Sequence, residues 1–401
     1  MAWKNIWRNK VRSMIIITAI ALGLLAGLLA SALTIGMGEQ IIRTTVRTRI
    51  SHIQITHPDF RLEQDVNMYI PDAALLSQQL RALPQVQAAA PRILVDAMAS
   101  SPRSAQGVQL VGVLPQYERD LVIIDQVIVD GVYFDEEVRN PVVIGEALAQ
   151  RLDIRVGSRM VMTFQDVEGI ITGGAFRVSG LFRTPSTEFD RSTVYVMAED
   201  LAQHLDTEQP WFHEVSALFI SAEAADESVS LIRDMAEGLR VETWRELAPE
   251  LDYISETLSV FLYIFMLVIL AALAFGIINT MLMVVLERTK EFGMLMAVGM
   301  KRNILFKLIV LETVALSLTG ALAGILLSFI TISLLGQTGV DLSVFAEGLR
   351  EFGVEEVLYP ELPLGMYPAL SLMVIVVAVM AAVYPALKAL KLKPADALRS
   401  S

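Results

Sequence analysis

The sequence predicts an α-helical membrane protein with four transmembrane helices and a large α+β extracytoplasmic domain between the first and second helices. Three observations predict this class. Four apolar segments alternate with charged ones, and each is long enough for the roughly 20 helical residues that a bilayer core requires. The hydrophobic content of 54% is too high for an ordinary soluble protein. Residues 51–245 have the mixed composition of a folded domain outside the bilayer.

The N-terminal region predicts a retained membrane helix. Residues 1–12 hold four basic residues and no acid, and residues 13–37 then run for 25 residues without a charge. A signal peptide is the alternative, but its apolar core has only about 7–15 residues. We therefore assign residues 13–37 to the first transmembrane helix and residues 38–50 to a helical stalk that continues out of the membrane.

Small residues recur along one face of this helix. Gly23, Gly27 and Ser31 are spaced four residues apart, and small residues at that spacing let helices approach closely in lipid. We interpret this face as a packing seam. A face that lines a substrate path is the alternative.

The insert of residues 51–245 has no long repeat, and its pattern indicates alternating strands and helices. The predicted strands cover residues 52–56, 108–114, 159–164, 176–182, 193–197 and 215–221. The predicted helices cover residues 72–83, 147–152, 199–205 and 227–239.

The C-terminal part of the chain predicts three further transmembrane helices. A stalk at residues 246–256 leads into the second helix at residues 257–286, which contains no charged residue. The remaining segments are a charged cytoplasmic segment at 287–302, the third helix at 304–340, an outer loop at 341–361, the fourth helix at 362–387 and a tail at 388–401.

Charge sets the orientation. Residues 1–12, 287–302 and 388–401 hold four Lys or Arg each, whereas the loop 341–361 holds one base against six acids. Basic residues stay on the cytoplasmic side, so both termini are expected in the cytoplasm and the insert outside. The net charge of −12 belongs mostly to these outer parts, and nothing in it suggests a nucleic-acid partner.

The charged segment 287–302 has the pattern of a short amphipathic helix. Its apolar residues fall at helical spacing, namely Phe292, Leu295, Met296 and Gly299. Charged residues precede them, namely Arg288, Lys290 and Glu291. Such a helix can be an interfacial anchor or a docking helix for a cytoplasmic partner.

The same residues resemble the cytoplasmic segment of the FtsX/MacB/LolC-E family of ABC transporter permeases, also called type VII. The resemblance lies in Glu287-Arg288-Thr289, Glu291-Phe292-Gly293, Leu295 and Ala297-Val298-Gly299, while Met296 stands where a basic residue is common. In that family this segment is the coupling helix that docks in a groove of the ATPase. The coupling residues implied are Glu287, Arg288, Lys290, Glu291, Phe292, Gly293, Leu295, Ala297 and Gly299.

Other parts of the chain resemble the same family in the same order. The opening resembles it at Asn9-Lys10-Val11-Arg12-Ser13, the insert at Val143-Ile144-Gly145-Glu146 and at Phe176-Arg177-Val178-Ser179-Gly180, and the tail at Pro385-Ala386, Pro394-Ala395 and Ala397-Leu398-Arg399. The resemblance implies a MacB-like periplasmic core with two lobes. The outer lobe would comprise residues 51–116 and 206–245, and the inserted lobe residues 117–205.

No catalytic constellation is evident in the sequence. No Gly-Lys pair exists, so the chain lacks a Walker A phosphate loop. The chain has no cysteine, and its four histidines all lie in the insert. His52 and His57 could form a metal pair, although surface residues are the simpler interpretation. We expect no enzyme activity, no metal site and no cofactor in this chain, with ATP and Mg bound by a partner subunit.

The resemblance implies a permease in the bacterial inner membrane, with its large domain in the periplasm. Its partners would be ABC ATPase subunits, a second permease copy or paralogue, membrane lipid and a lipoprotein or amphiphilic substrate. A chain with four spans and no ATPase domain fits the lipoprotein-releasing type. MacB-like export of peptides or amphiphilic compounds is the alternative within the family. A membrane-anchored sensor without transport is the alternative outside it.

Overall fold

The computed structural model describes residues 10–135, 137–351 and 354–390. The chain divides into two compact units. The helical unit comprises Met1–Gly38, Ile254–Asp341 and Val357–Ser401, and the outer unit comprises Glu39–Tyr253 and Leu342–Glu356. The outer unit thus includes most of the predicted outer loop as well as the large insert.

The helices are numbered along the chain. They are α1 (Lys10–Thr45), α2 (Phe60–Glu63), α3 (Ala73–Arg81), α4 (Pro115–Leu121), α5 (Glu146–Leu152), α6 (Thr187–Ser192), α7 (Ala198–His204), α8 (Ala222–Met235), α9 (Trp244–Leu247), α10 (Pro249–Glu287), α11 (Thr289–Ala297), α12 (Arg302–Thr338), α13 (Ala346–Glu351) and α14 (Met366–Leu390). Short 3-10 turns occupy Ile124–Val127 and Ser343–Phe345, and a π-helical turn occupies Val46–Ile50.

The strands are numbered in the same way. They are β1 (Ile53–Thr56), β2 (Val86–Ser100), β3 (Ala105–Val113), β4 (Ile128–Gly131), β5 (Pro141–Gly145), β6 (Arg159–Gln165), β7 (Ile171–Phe182), β8 (Thr193–Met197), β9 (Glu214–Phe219), β10 (Arg240–Thr243), β11 (Val340–Asp341) and β12 (Val357–Leu358).

Four of the described helices are long and apolar enough to cross a membrane, and each overlaps one of the four predicted spans. The predicted stalk 246–256 and second span 257–286 lie mostly on one helix, α10, which begins at Pro249. The fourth span begins four residues later than predicted, at Met366, and continues to Leu390. The predicted tail beyond Leu390 lies outside the described residues.

Glycines on α12 set the spacing between two of these helices. A Cβ atom on Gly320 would lie 2.8 Å from Ile20 Cβ of α1, and one on Gly324 would lie 3.0 Å from Leu24 Cβ. Ser328 continues the four-residue spacing and is fully buried. Because only glycine permits this approach, α1 and α12 pack as a small-residue pair.

The outer unit is built on one continuous mixed sheet. In the described residues its main path runs β10-β1-β9-β2-β3-β8-β5-β7-β4, and β6 pairs with both β2 and β7. The strands β2, β3, β8, β5, β7 and β6 therefore close into a ring, which removes exposed edges. Leu110, Phe176 and Val194 of these strands belong to the large buried apolar cluster of the outer unit.

The long strand β2 joins the ring to the rest of the sheet. Its first half, Val86–Arg92, pairs with β9, and its second half, Ile93–Ser100, pairs with β3. The strands β1 and β10 continue the sheet beyond β9. The division into two lobes at residues 117 and 205 stays a prediction, since both halves of the sheet share β2.

The outer loop contacts the extension of α1 within the outer unit. Glu355 accepts hydrogen bonds from Gln40 Nε2 at 2.7 Å and from Thr44 Oγ1 at 3.0 Å. The short helix α13 of the same loop packs near α6. The segment predicted as a plain outer loop is therefore part of a folded domain.

Candidate functional site

The charged segment between the second and third spans forms one short helix, α11. It covers Thr289–Ala297, so it is shorter than the predicted segment 287–302. Gly299 ends it with φ near +100°. The amide of Gly299 donates to the carbonyl of Met296, and that of Met300 donates to Leu295. This is a Schellman motif, and it gives Gly299 a definite role in ending the helix.

Arg288 fastens α11 to the third span. Its guanidinium lies 3.0 Å from Glu291 of α11 and 3.2 Å from Glu312 of α12. The same guanidinium lies 5.1 Å from the ring centroid of Phe292, within the range of a cation–π interaction. Arg288 and Glu312 are both largely buried, so they act inside the unit rather than at the rim of a docking surface.

Phe292 does not face outward. Its side chain is 1% exposed and belongs to the same buried cluster as Val285, Leu305 and Ile309. Gly293 is buried beside it. The expectation that Phe292 anchors a partner is therefore corrected: this ring anchors α11 to its own unit.

Three apolar side chains, two on α11 and one at its C-cap, are exposed. Met294, Leu295 and Val298 are 52%, 37% and 89% exposed. Exposed charged residues border the patch along the chain, namely Glu287, Lys290, Lys301 and Arg302. We call Met294, Leu295 and Val298 the α11 patch. Of the predicted coupling residues, Leu295 lies in this patch and Ala297 lies at the end of the helix.

Two of the three small residues of the first helix lie against α10. A Cβ on Gly23 would lie 3.2 Å from Leu273 of α10, and one on Gly27 would lie 3.2 Å from Met266 of α10. Ser31 is fully buried, and its hydroxyl donates to the carbonyl of Gly27 at 2.8 Å. These contacts favour the packing interpretation of this face. The four-residue pattern on α12 was not found from the sequence, although its spacing was readable there.

His52 and His57 of the outer unit form hydrogen bonds with its backbone. His52 Nδ1 accepts from the amide of Phe219 at 3.0 Å, and His57 Nδ1 accepts from the amide of Asp59 at 3.3 Å. Among the described residues, no group of three or more His, Asp or Glu side chains could hold a metal ion. The two histidines therefore have local structural partners.

The combination of four apolar helices, the short helix α11 and a large mixed-sheet domain is the one that the resemblance to the permease family predicts. A family model for the FtsX-like permease C-terminal region matches residues 263–394. A second family model, the MacB-like periplasmic core domain, matches residues 13–236, which is more than half of the chain. The chain belongs to the FtsX/MacB/LolC-E family of ABC transporter permeases.

Curated relatives fall into two groups. LolE of Haemophilus influenzae, a lipoprotein-releasing system transmembrane protein, is 22% identical over 81% of this chain and 80% of its own length. LolC of Xylella fastidiosa, also a lipoprotein-releasing system transmembrane protein, is 24% identical over 79% of this chain and 78% of its own length. The macrolide export ATP-binding/permease protein MacB of Escherichia coli is 30% identical, but over only 28% of this chain and 18% of its own length.

Solved structures similar to the chain cover about half of it. The periplasmic region of MacB from Actinobacillus actinomycetemcomitans is 13% identical, with a TM-score of 0.35, over 55% of this chain and 97% of its own. The extracellular domain of the ABC-type transporter YknZ from Gram-positive bacteria is 15% identical, with a TM-score of 0.33. The match covers 48% of this chain and 99% of that domain.

Proposed function

We propose that this chain is the permease subunit of an ABC transporter and has no ATPase site of its own. A separate ATPase subunit would bind ATP and Mg and dock on α11. Hydrolysis would drive movement of the membrane helices, and α1 and α10 would pass that movement to the outer domain. The family membership supports this mechanism, and the absence of a Walker A sequence supports a nucleotide site on a separate subunit.

The observation that carries this proposal is the α11 patch. Three exposed apolar side chains stand on α11 and at its C-cap, while Phe292 and the Arg288–Glu312 pair fix the buried side of the helix. A helix with exposed apolar side chains can bind in an apolar groove of a partner, and these side chains then make the contacts. Burial of one such side chain contributes about 1.5–3 kcal/mol.

The substrate we propose is a lipoprotein, extracted from the inner membrane toward the outer membrane. The long matches to LolE and LolC, which extend over about four-fifths of the chain and of those proteins, support this choice over MacB-like export. The complex would contain two permease subunits, and the large domain would lie in the periplasm. Export of peptides or amphiphilic compounds is the alternative substrate class, supported by the MacB match.

The docking proposal predicts that Leu295→Asp abolishes assembly with the ATPase. A carboxylate in the α11 patch would be buried against the partner without a counter-charge, which is costly. The measurement is co-purification of the ATPase with the tagged full-length permease from membranes. We expect a loss of at least about tenfold in bound ATPase, equivalent to about 1.4 kcal/mol.

The matched control is Leu75→Asp, the same change at an exposed leucine of α3 in the outer unit. It should leave ATPase binding unchanged. If α11 is only an interfacial anchor, Leu295→Asp should reduce insertion into the membrane while the inserted fraction still binds the ATPase. Full retention of the ATPase by normally inserted Leu295→Asp permease would contradict the docking proposal.

The substrate proposal is tested by reconstitution. Proteoliposomes with the permease, its ATPase and a fluorescent triacylated lipoprotein should release the lipoprotein to a soluble acceptor when ATP is added. Permease carrying Leu295→Asp serves as the inactive control. Absence of lipoprotein release, together with ATP-dependent efflux of an amphiphilic dye, would favour the alternative substrate class.

A further inference from the structure

Three charged residues meet in the interior of the outer unit. Arg92 of β2 lies 2.7 Å from Glu118 of α4 and 3.1 Å from Glu214 of β9. Their exposed fractions are 3%, 0% and 5%. Burial disfavours the charge of Arg92, but the two carboxylates outweigh it and raise the pKa of Arg92. All three groups are held by charge-assisted hydrogen bonds in a buried site.

Burial of such a charged cluster has a large desolvation free energy. The desolvation of buried ions commonly offsets their attraction, and apolar residues of similar size often stabilise a core as well or better. A role in fixing one particular arrangement of the chain is a recognised reason for retaining buried ions. The other contacts of Arg92 indicate which arrangement of the chain this cluster fixes.

Arg92 also reaches the end of the first helix. Its Nη1 donates to the carbonyl oxygen of Arg49 at 3.4 Å. Arg49 lies in the π-helical turn Val46–Ile50 that follows α1. The carbonyl of Arg47, in the same turn, accepts a hydrogen bond from the amide of Ile123 at 3.2 Å. Ile123 lies two residues after the end of α4. Carbonyls that a helix end leaves without intrahelical partners are thus held by the domain.

The residue that follows the turn is strained. Ser51 is fully buried and has φ 56° and ψ −173°, close to a backbone region that essentially only glycine adopts. Such conformations persist where the surroundings over-determine them. The amides on both sides are fixed, because Ser51 donates to Val46 and His52 donates to Ala217 of β9. This observation is independent of the charged cluster and marks the same junction.

We propose that Arg92 is a positioning residue that locks the end of the first membrane helix to the outer domain. Glu118 and Glu214 hold the guanidinium, and the guanidinium holds the turn Val46–Ile50. Movement of α1 is then delivered to β2 and β9 instead of being absorbed by the turn. The proposal rests on the proposed function for the meaning of that movement, but the lock itself is a property of this chain alone.

The test is hydrogen–deuterium exchange of the purified full-length chain in nanodiscs. One variant is Arg92→Lys, which keeps the charge but cannot reach all partners. The other is the charge-free combination Arg92→Met, Glu118→Gln and Glu214→Gln. We expect exchange in peptides covering residues 46–51 and 119–124 to rise roughly tenfold or more. Protection of β5 and β8 should stay as in the unchanged chain.

The matched control is Arg183→Lys, which alters the more exposed Arg183–Glu146 pair of the same unit and should leave residues 46–51 protected. Unchanged exchange at residues 46–51 in both cluster variants would overturn the proposal. Equal loss of protection across β5, β8 and residues 46–51 would also overturn it, since the cluster would then be a general stabiliser of the domain.

A second measurement separates positioning from stability in the assembled transporter. The charge-free combination should bind the ATPase and hydrolyse ATP, while release of substrate per ATP falls. Release per ATP equal to that of the unchanged complex would argue against a lock. The exchange experiment needs no ATPase or substrate, so a failure of the proposed function and a failure of the lock give different results.

Discussion

At the scale of single residues, His213 is a buried titratable group with a structural role, because its ring forms hydrogen bonds with the backbone of two other segments. Its Nδ1 accepts from the amide of Leu94 at 3.0 Å, and its Nε2 lies 2.9 Å from the carbonyl of Val66. The ring stacks on Phe60 with 4.9 Å between centroids. These partners require a neutral ring that is protonated on Nε2 only, because Nδ1 must remain an acceptor.

This geometry predicts an acid-sensitive outer unit. Burial lowers the pKa of His213 from 6.5 to about 4, so the unfolded chain binds the proton at a higher pH than the folded one. The stabilisation is present above pH 6.5 and is lost as the pH falls toward 4, by about 3 kcal/mol in total. Pulse proteolysis of the full-length chain in urea, repeated across this pH range, measures the free energy of unfolding.

The comparison variant is His213→Gln, whose amide cannot titrate. It should lower stability at pH 7 and flatten the dependence between pH 4 and 6.5. The same pH dependence in the variant and in the unchanged chain would contradict the assignment of the acid sensitivity to His213.

Phe292 and Leu295 show what a sequence leaves open at this scale. Their spacing predicts one helix, and the helix exists. Spacing alone does not tell which apolar residue meets the chain's own third span and which meets a partner. The choice depends on α12, where Glu312 forms an ion pair with Arg288 and Leu305 packs in the same buried cluster as Phe292. The helix was predictable, and its outward face was not.

At the scale of elements, the contact between α1 and α12 sets a test of packing. Gly320→Val would put methyl groups where Ile20 already lies, because even a Cβ would come within 2.8 Å of Ile20 Cβ. Overpacking of this kind costs about 1–3 kcal/mol. We expect a lower melting temperature of the detergent-solubilised chain, measured by the change in tryptophan fluorescence.

Gly276→Val is the paired control, on α10, where a Cβ would meet nothing within 4 Å. It should change the melting temperature little. Equal melting temperatures for Gly320→Val and Gly276→Val would mean that α1 and α12 do not pack closely in the membrane.

The strands were predicted unevenly, for a physical reason. The strands β6 and β7 overlap the predicted strands 159–164 and 176–182, and exposed and buried residues alternate along most of β6. The longest strand, β2, was missed. It contains Ala88–Ala90 and Pro91, and alanine and proline are poor strand residues. Its neighbours β9 and β3 hold it in the sheet, and such pairing across the chain leaves no local pattern.

At the scale of the whole molecule, the distribution of charge orients the chain. Basic residues cluster in residues 287–302 and acids in residues 341–361, and the membrane potential and lipid charge favour basic loops inside. The helix count and the family follow from the sequence and are confirmed by the four long helices and the matched family models. The sidedness stays a prediction.

Cysteine labelling tests the sidedness directly, because the chain contains no cysteine. Glu227→Cys on α8 and Asn303→Cys at the start of α12 both replace exposed residues. In cells whose outer membrane alone is permeabilised, an impermeant maleimide should label Glu227→Cys and spare Asn303→Cys. The reverse pattern would place the large domain in the cytoplasm and end the transporter proposal as framed.

The pairing of β1 has a consequence for how the protein is made. Its residue Ile53 lies opposite Ala217 of β9 and Thr243 of β10, so β1 emerges soon after the first helix yet finds its partners only about 160–190 residues later. Contacts this distant in sequence slow folding. During synthesis the sheet therefore stays incomplete, with unpaired strand edges, until the chain has been made as far as β10, which ends shortly before α10 begins.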